Sequence, residues 1–144
     1  MTTSQDNRSS KDKDNKPSVE ARWSKPSLAR IMPEIGQRYW KLYYAAKAKN
    51  WILAEFEMKE ISELMEVGGE SRPKYRARLH DFVQENMGPM AEAIKGQDWD
   101  AFDAAFHQGV KDANRYHLES DRGYIVWKLP DSPPPDLDMT PQVS

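Results

Sequence analysis

The chain contains no cysteine. Disulfide bonds, thiolate nucleophiles, zinc–thiolate sites and thioether-linked (covalent) haem are therefore excluded. Long hydrophobic runs are missing too. No stretch approaches the ~18 apolar residues of a membrane-spanning helix, so no membrane partner is expected. The opening residues, "MTTSQDNRSSKDKDNKPSVEAR", lack the apolar core of a secretory signal, which makes the cytoplasm the expected location. Net charge is only −2, too little for a global field that recruits nucleic acid. Phosphate loops, dinucleotide-binding glycine patterns, a Ser-His-Asp order and zinc-ligand spacings are absent as well. No Glu-x-x-His occurs, which removes the ligand motif of di-iron helical bundles.

What is present suits one helical domain. The 144 residues include 5 Trp, 6 Tyr and 4 Phe, enough apolar and aromatic surface for a single core. Residues 1–25 are Ser, Asp, Asn and Lys with almost no apolar side chain, and read as a disordered leader. From Pro130 the segment "PDSPPPDLDMTPQVS" is Pro-rich and acidic, and reads as an extended tail over 130–144. The folded part is then 26–129.

Four helical patterns fill that interval. The first opens at Ser27 as N-cap and places Leu28, Met32, Ile35, Tyr39, Leu42 and Ala46 on one stripe. A break near Asn50 starts the second, which runs from Trp51 to Val67 with Ala54, Met58, Ile61 and Met65 on one line and Leu53, Phe56, Glu60 and Leu64 on the next. "VGGESRP" ends it, with glycine expected at the C-cap. The third runs from Pro73 to Ile94, bent at Gly88-Pro89. The fourth opens on Asp98 and turns Trp99, Phe102, Phe106, Val110, Ala113, His117 and Ser120 inward, until Gly123 breaks it. "YIVWKLP" follows as a short extended piece expected to pack over one end. The fold class expected is all-α: an antiparallel, up-down four-helix bundle.

Two stretches carry a family likeness. "KLYYAAKAKNWILAEFEMKEISEL" resembles the first half of the small four-helix-bundle, c-type cytochrome-like proteins, whose pattern runs KLW, then NW-x-LA-x-YE-x-x-E; Lys41, Leu42, Asn50, Trp51, Leu53, Ala54, Phe56, Glu57 and Glu60 fit it. The family's C-N-x-C-H on the last helix is matched in place by Ala113, Asn114, Arg115, Tyr116 and His117. Both attachment cysteines are thus replaced, by Ala113 and Tyr116, and Tyr39 stands where the family has a histidine before KLW. The resemblance spans about residues 28–130. It implies a cytochrome c′-like bundle whose porphyrin space holds side chains, water, a non-covalent haem or another flat ligand. It also implies a homodimer as a possible assembly.

Several residues could line such a space. His117, with Glu60 orienting it and Tyr39 nearby, could act as general base, or as axial ligand if haem binds without a covalent bond; no other metal site is indicated. The alternative is a core histidine bonded to a neighbouring Tyr or Glu. Arg38, Tyr43, Trp51, Phe56, Phe106, Ala113, Asn114 and Tyr116 are candidates to bind a small planar or aromatic molecule, though aromatic stripes at helical spacing also serve simply as core. His80 and His107 read as surface. Glu60, on an inner line, would need a partner such as Arg38, Lys41 or His117. Three functions stay open: a small-ligand-binding or accessory protein, an enzyme or non-covalent haem protein using His117, and an adaptor that binds a partner through its Pro-rich tail.

Overall fold

The computed structural model describes residues 26–142, so the leader expected over 1–25 lies outside the described residues. The described chain is all-helical, with no β-strand among those residues. Its elements are α1 (Leu28–Lys47), α2 (Trp51–Ser71), a single 3₁₀ turn (Pro73–Tyr75), α3 (Arg76–Phe82), α4 (Gly88–Lys95) and α5 (Trp99–Glu119), with a turn of π-helix (Val83–Met87) joining α3 to α4.

The apolar stripes decide which faces turn inward. Ile31, Ile35, Tyr39, Leu42, Tyr43 and Ala46 of α1, Ala54, Met58, Ile61 and Met65 of α2, Met90 and Ile94 of α4, and Phe102 and Phe106 of α5 form one core. At the start of α1 the buried place belongs to Ile31 rather than Met32, which is half-buried. Burying each of these larger side chains stabilises the fold by roughly 1.5–3 kcal/mol relative to leaving it exposed.

Pairings fix the neighbours. A β-carbon on Gly68 would meet Leu28 Cδ2 at 2.7 Å, and Arg38 bonds Glu57, so the start of α1 lies against the end of α2 and its middle against the first half of α2. Asn86 bonds Asp112, and a β-carbon on Gly109 would meet Met90 Cε at 3.1 Å, which ties the π turn and α4 to α5.

Gly68 and Gly69 do not stop α2, as the glycine pair suggested. They lie inside a helix that continues to Ser71. Their role is close approach: α1 presses on Gly68 and Arg76 on Gly69. The Gly88-Pro89 bend takes a specific form. Proline has no N–H to donate and its ring crowds the carbonyl four residues back. The chain widens into the π turn just before it, and Gly88 N–H donates to Val83 O, five residues back.

Three helices end in the same way. Asn50 N–H reaches Ala45 O at 2.8 Å, Asp98 N–H reaches Ala93 O at 2.9 Å, and Arg122 N–H reaches His117 O at 2.7 Å, the six-to-one bond of a Schellman turn. The residue before each donor takes left-handed backbone: Lys49 (φ 63°), Gln97 (φ 53°) and Asp121 (φ 61°). None is glycine, so Gly123 is not the residue that breaks α5. After the first two turns, Asn50 and Asp98 cap the next helix, accepting from Leu53 N and Ala101 N at 3.1 Å each. Ser27 occupies the N-cap of α1 without a side-chain bond. The third turn leads into no helix at all.

A non-glycine residue in left-handed backbone costs about 1–2 kcal/mol. Lys49→Gly, at an exposed position, is expected to raise unfolding stability in urea by roughly 0.5–1 kcal/mol after glycine's own entropy is deducted. A neutral or destabilising result would show that Lys49 is held there by something other than the turn.

Candidate functional site

Beyond α5 the chain runs from Gly123 to Gln142 without helix. Its backbone N–H and C=O groups need partners wherever water is excluded. Side chains of α5 and α1 supply them.

Asn114 and His117 lie three residues apart on α5 and so share a face. Asn114 meets Trp127 as a second strand would: its Oδ1 accepts from Trp127 N at 2.9 Å, and its Nδ2 donates to Trp127 O at 3.0 Å. His117 Nδ1 lies 3.0 Å from Ile125 O. A carbonyl only accepts, so Nδ1 bears the hydrogen in this contact.

This clamp seats the indole of Trp127 against α1 and α5. The ring meets Tyr39 edge-on at 5.4 Å and Phe106 at 6.4 Å, while Tyr39 and Phe106 stack at 4.2 Å. Gly36 makes the room, since a β-carbon there would lie 2.9 Å from Trp127 Nε1. From the indole the segment works along α1. Tyr44 OH donates to Pro130 O at 2.7 Å, Trp40 Nε1 to Ser132 O at 2.7 Å and Asn50 Nδ2 to Met139 O at 3.0 Å. Lys41 pairs with Asp136 at 3.1 Å, and Pro134 is buried. Residues 123–142 thus form a strap across α5 and α1.

Phenols line the seam beneath the strap. Tyr39 OH donates to Phe106 O at 3.4 Å, with Met90 Sδ at 3.9 Å. Burial, with the Asp112 charge in support, pushes its pKa far above the ordinary tyrosine value, so it is a neutral phenol at physiological pH. Burial and the 2.8 Å bond to Asp103 push Tyr43 up to about 12. Tyr44 is raised too, by burial and then by Asp131 of the strap.

The remaining candidates are scattered. The inward carboxylate of α2 is Glu57, 2% exposed, rather than Glu60, which is half-buried. The line facing α1 passes through Ala54, Glu57, Ile61 and Met65, and Glu60 lies on the next line out. Arg38 donates to Glu57 at 2.9 Å and to Glu34 at 3.0 Å. Burial alone would lower its pKa, but the two carboxylates raise it on balance. Its guanidinium stands 5.9 Å over the Phe56 ring, which is 50% exposed. Trp51 opens α2 as a half-buried wall of the core, and Ala113 packs against that core from α5. Tyr116 faces Phe82, with the Arg78 and Arg115 guanidinium groups over its ring at 5.2 and 4.7 Å. No hydrogen bond joins His117 to Glu60; the partner of His117 Nδ1 is Ile125 O of the strap. His80 and His107 are exposed.

Sequence reasoning overlooked Gly36, Trp40, Tyr44 and Asn50 as receptors of the strap. It also overlooked a polar link in the core. Asn86, buried in the π turn, donates to Asp112 at 2.7 Å, and Asp112 is held below the usual carboxylate range by that bond first, against burial, and then by Gln108 and Arg115. Among the described residues no cluster of three His, Asp or Glu side chains is placed to hold a metal ion, and no helix is long and apolar enough to cross a membrane. No family model, curated protein or solved structure matches the chain.

Two outcomes follow from this geometry. Asn114→Asp keeps the acceptor for Trp127 N but turns a carboxylate toward Trp127 O. It should cost more than Asn114→Ala, whose two lost bonds amount to about 2 kcal/mol. Thermal unfolding with Trp emission checks the order, and equal costs would break the two-bond assignment. In an alkaline ultraviolet titration, Tyr43→Phe should remove one late tyrosinate step near pH 12. Because the folded phenol is raised above its ordinary value of about 10, its stabilisation is full below pH 10 and is lost as the pH climbs toward 12.

Proposed function

We propose that the chain is an antiparallel, up-down four-helix bundle of the cytochrome c′-like kind, and a cytoplasmic small-ligand-binding or accessory protein that has lost covalent haem attachment. The pairing of Leu28 with Gly68, and of Asn86 with Asp112 but Met90 with Gly109, supports helices that run in opposite directions. The single observation behind the function is the seat of Trp127. A flat aromatic ring lies on Tyr39 and Phe106 and is fastened to Asn114, within the "ANRYH" stretch that replaces the attachment motif. The seam therefore suits a planar group of indole size, with neutral phenols around it, and a ligand reaches it by displacing Trp127.

One observation favours a second reading, a non-covalent haem protein or an enzyme. His117 gives its Nδ1 hydrogen to a backbone carbonyl, the arrangement that orients an imidazole and turns its other nitrogen away from that bond. Nε2 would then be the iron ligand or the general base. The cysteine-free stretch does not fit covalent haem, and a porphyrin is larger than the indole, so this reading needs the strap to lift.

Trp127→Ala should lower stability by roughly 2–3 kcal/mol, less than for a fully buried tryptophan because Trp127 is only partly buried. Indole added at millimolar concentration should then raise the melting temperature of that variant more than that of the unaltered chain. Equal effects would sink the proposal. A haem titration separates the two readings: a Soret band that saturates at one haem per chain and disappears in His117→Ala selects the second.

A further inference from the structure

The strap is held chiefly by its main chain. Five side chains of the helices take its main chain rather than its side chains: His117 at Ile125 O, Asn114 at both Trp127 N and O, Tyr44 at Pro130 O, Trp40 at Ser132 O and Asn50 at Met139 O. Main-chain recognition accepts any extended sequence, and specificity is left to the few side chains that enter the groove. Here those are few. Trp127 fills the seat over Gly36, Leu129 and Met139 pack on the core, and Pro134 is buried. The prolines at 130, 133, 134 and 135 preset an extended backbone, which reduces the entropy lost on docking. Charge agrees beyond the first proline. The segment carries Asp131, Asp136 and Asp138, and α1 offers Lys41 to Asp136 at 3.1 Å. The outer side of the strap is solvent-exposed and apolar at Tyr124 and Val126, and the turn that leads into it, residues 121–123, is exposed.

We infer that the groove between α1 and α5 is a recognition surface for an extended peptide that has an aromatic residue, proline three positions later and acidic residues beyond, and that the strap is its occupant in cis. The inference rests on the reading of the seam as a seat for a flat ring, and names what delivers that ring. The partner is a separate protein bearing such a segment. It competes with the strap, whose tethering gives it an effective concentration on the order of millimolar. Binding is therefore weak while the strap is seated and strong once it is loosened.

The test uses the full chain and a fluorescent synthetic peptide with the sequence of residues 122–140. Anisotropy should show saturable binding to the Trp127→Ala chain, at least about tenfold weaker binding to the unaltered chain, and none when Asn114→Ala is added or when the peptide's own tryptophan is replaced by alanine. Helical circular dichroism verifies that each variant is folded; should Trp127→Ala fail that check, Trp127→Phe takes its place with the same expectations. No binding to a folded variant, or binding indifferent to Asn114→Ala, overturns the inference. Indole rescue without peptide binding overturns it while leaving the seat for a flat ring intact. Failure of both removes both readings. A strap-exchanged dimer of the unaltered chain that the peptide dissolves would assign the groove to a second copy, and would likewise overturn the assignment to a separate partner.

Discussion

The two hydrogen bonds between Asn114 and the backbone of Trp127 are the constraint on which the strap over residues 123–142 depends. Past α5 the chain enters neither helix nor sheet, yet it places a tryptophan against the core. A buried backbone amide and carbonyl without partners would each cost about 1–3 kcal/mol, enough to offset much of what the indole contributes by burial. One carboxamide satisfies both. Register follows from it: with Trp127 fixed over Gly36, Ile125 falls at His117 and Pro130 at Tyr44. The polar residues on the inner faces of α5 and α1 are explained by the strap's backbone before any ligand is invoked.

The opposite side of the fold solves a different problem. Glu57 is buried between α1 and α2 and is met by Arg38, which Glu34 also holds. Such a pair contributes little net stability against an apolar substitute, but it disfavours any register of α1 on α2 that would leave the carboxylate alone. Glycines act alongside it. Gly68 admits Leu28, Gly36 admits Trp127 and Gly109 admits the Tyr39 hydroxyl, each so close that a β-carbon would force the neighbour to shift. Close helix approach and the strap's seat thus share one device.

Much of this was legible in the sequence. Periodicity placed α1, α2 and α5, and Asn50 and Asp98 announced themselves as caps because an Asx side chain before an apolar run satisfies free N–H groups. Gly68-Gly69 misled, since a glycine pair signals a turn or a close approach with the same letters. Glu60 and Glu57 lie three residues apart, about 60° around the helix, so periodicity alone separates them poorly. Residues 53, 56, 60 and 64 also form a line, but Phe56 on that line faces solvent. The strap was the larger omission. Sequence alone makes "YIVWKLP" a cover and Asn114 and His117 candidates for a ligand. Asking where the backbone of an apolar, non-helical segment finds its partners would have joined the two.

Amide hydrogen exchange at Trp127 tests the central claim most directly. If Asn114 holds that N–H, it should exchange slowly, in the range of the helical amides of α5, while the exposed Tyr124 and Val126 exchange quickly. A Trp127 amide that exchanges as fast as that of Val126 would mean that the strap is not seated, and with it would fall the account of the seam.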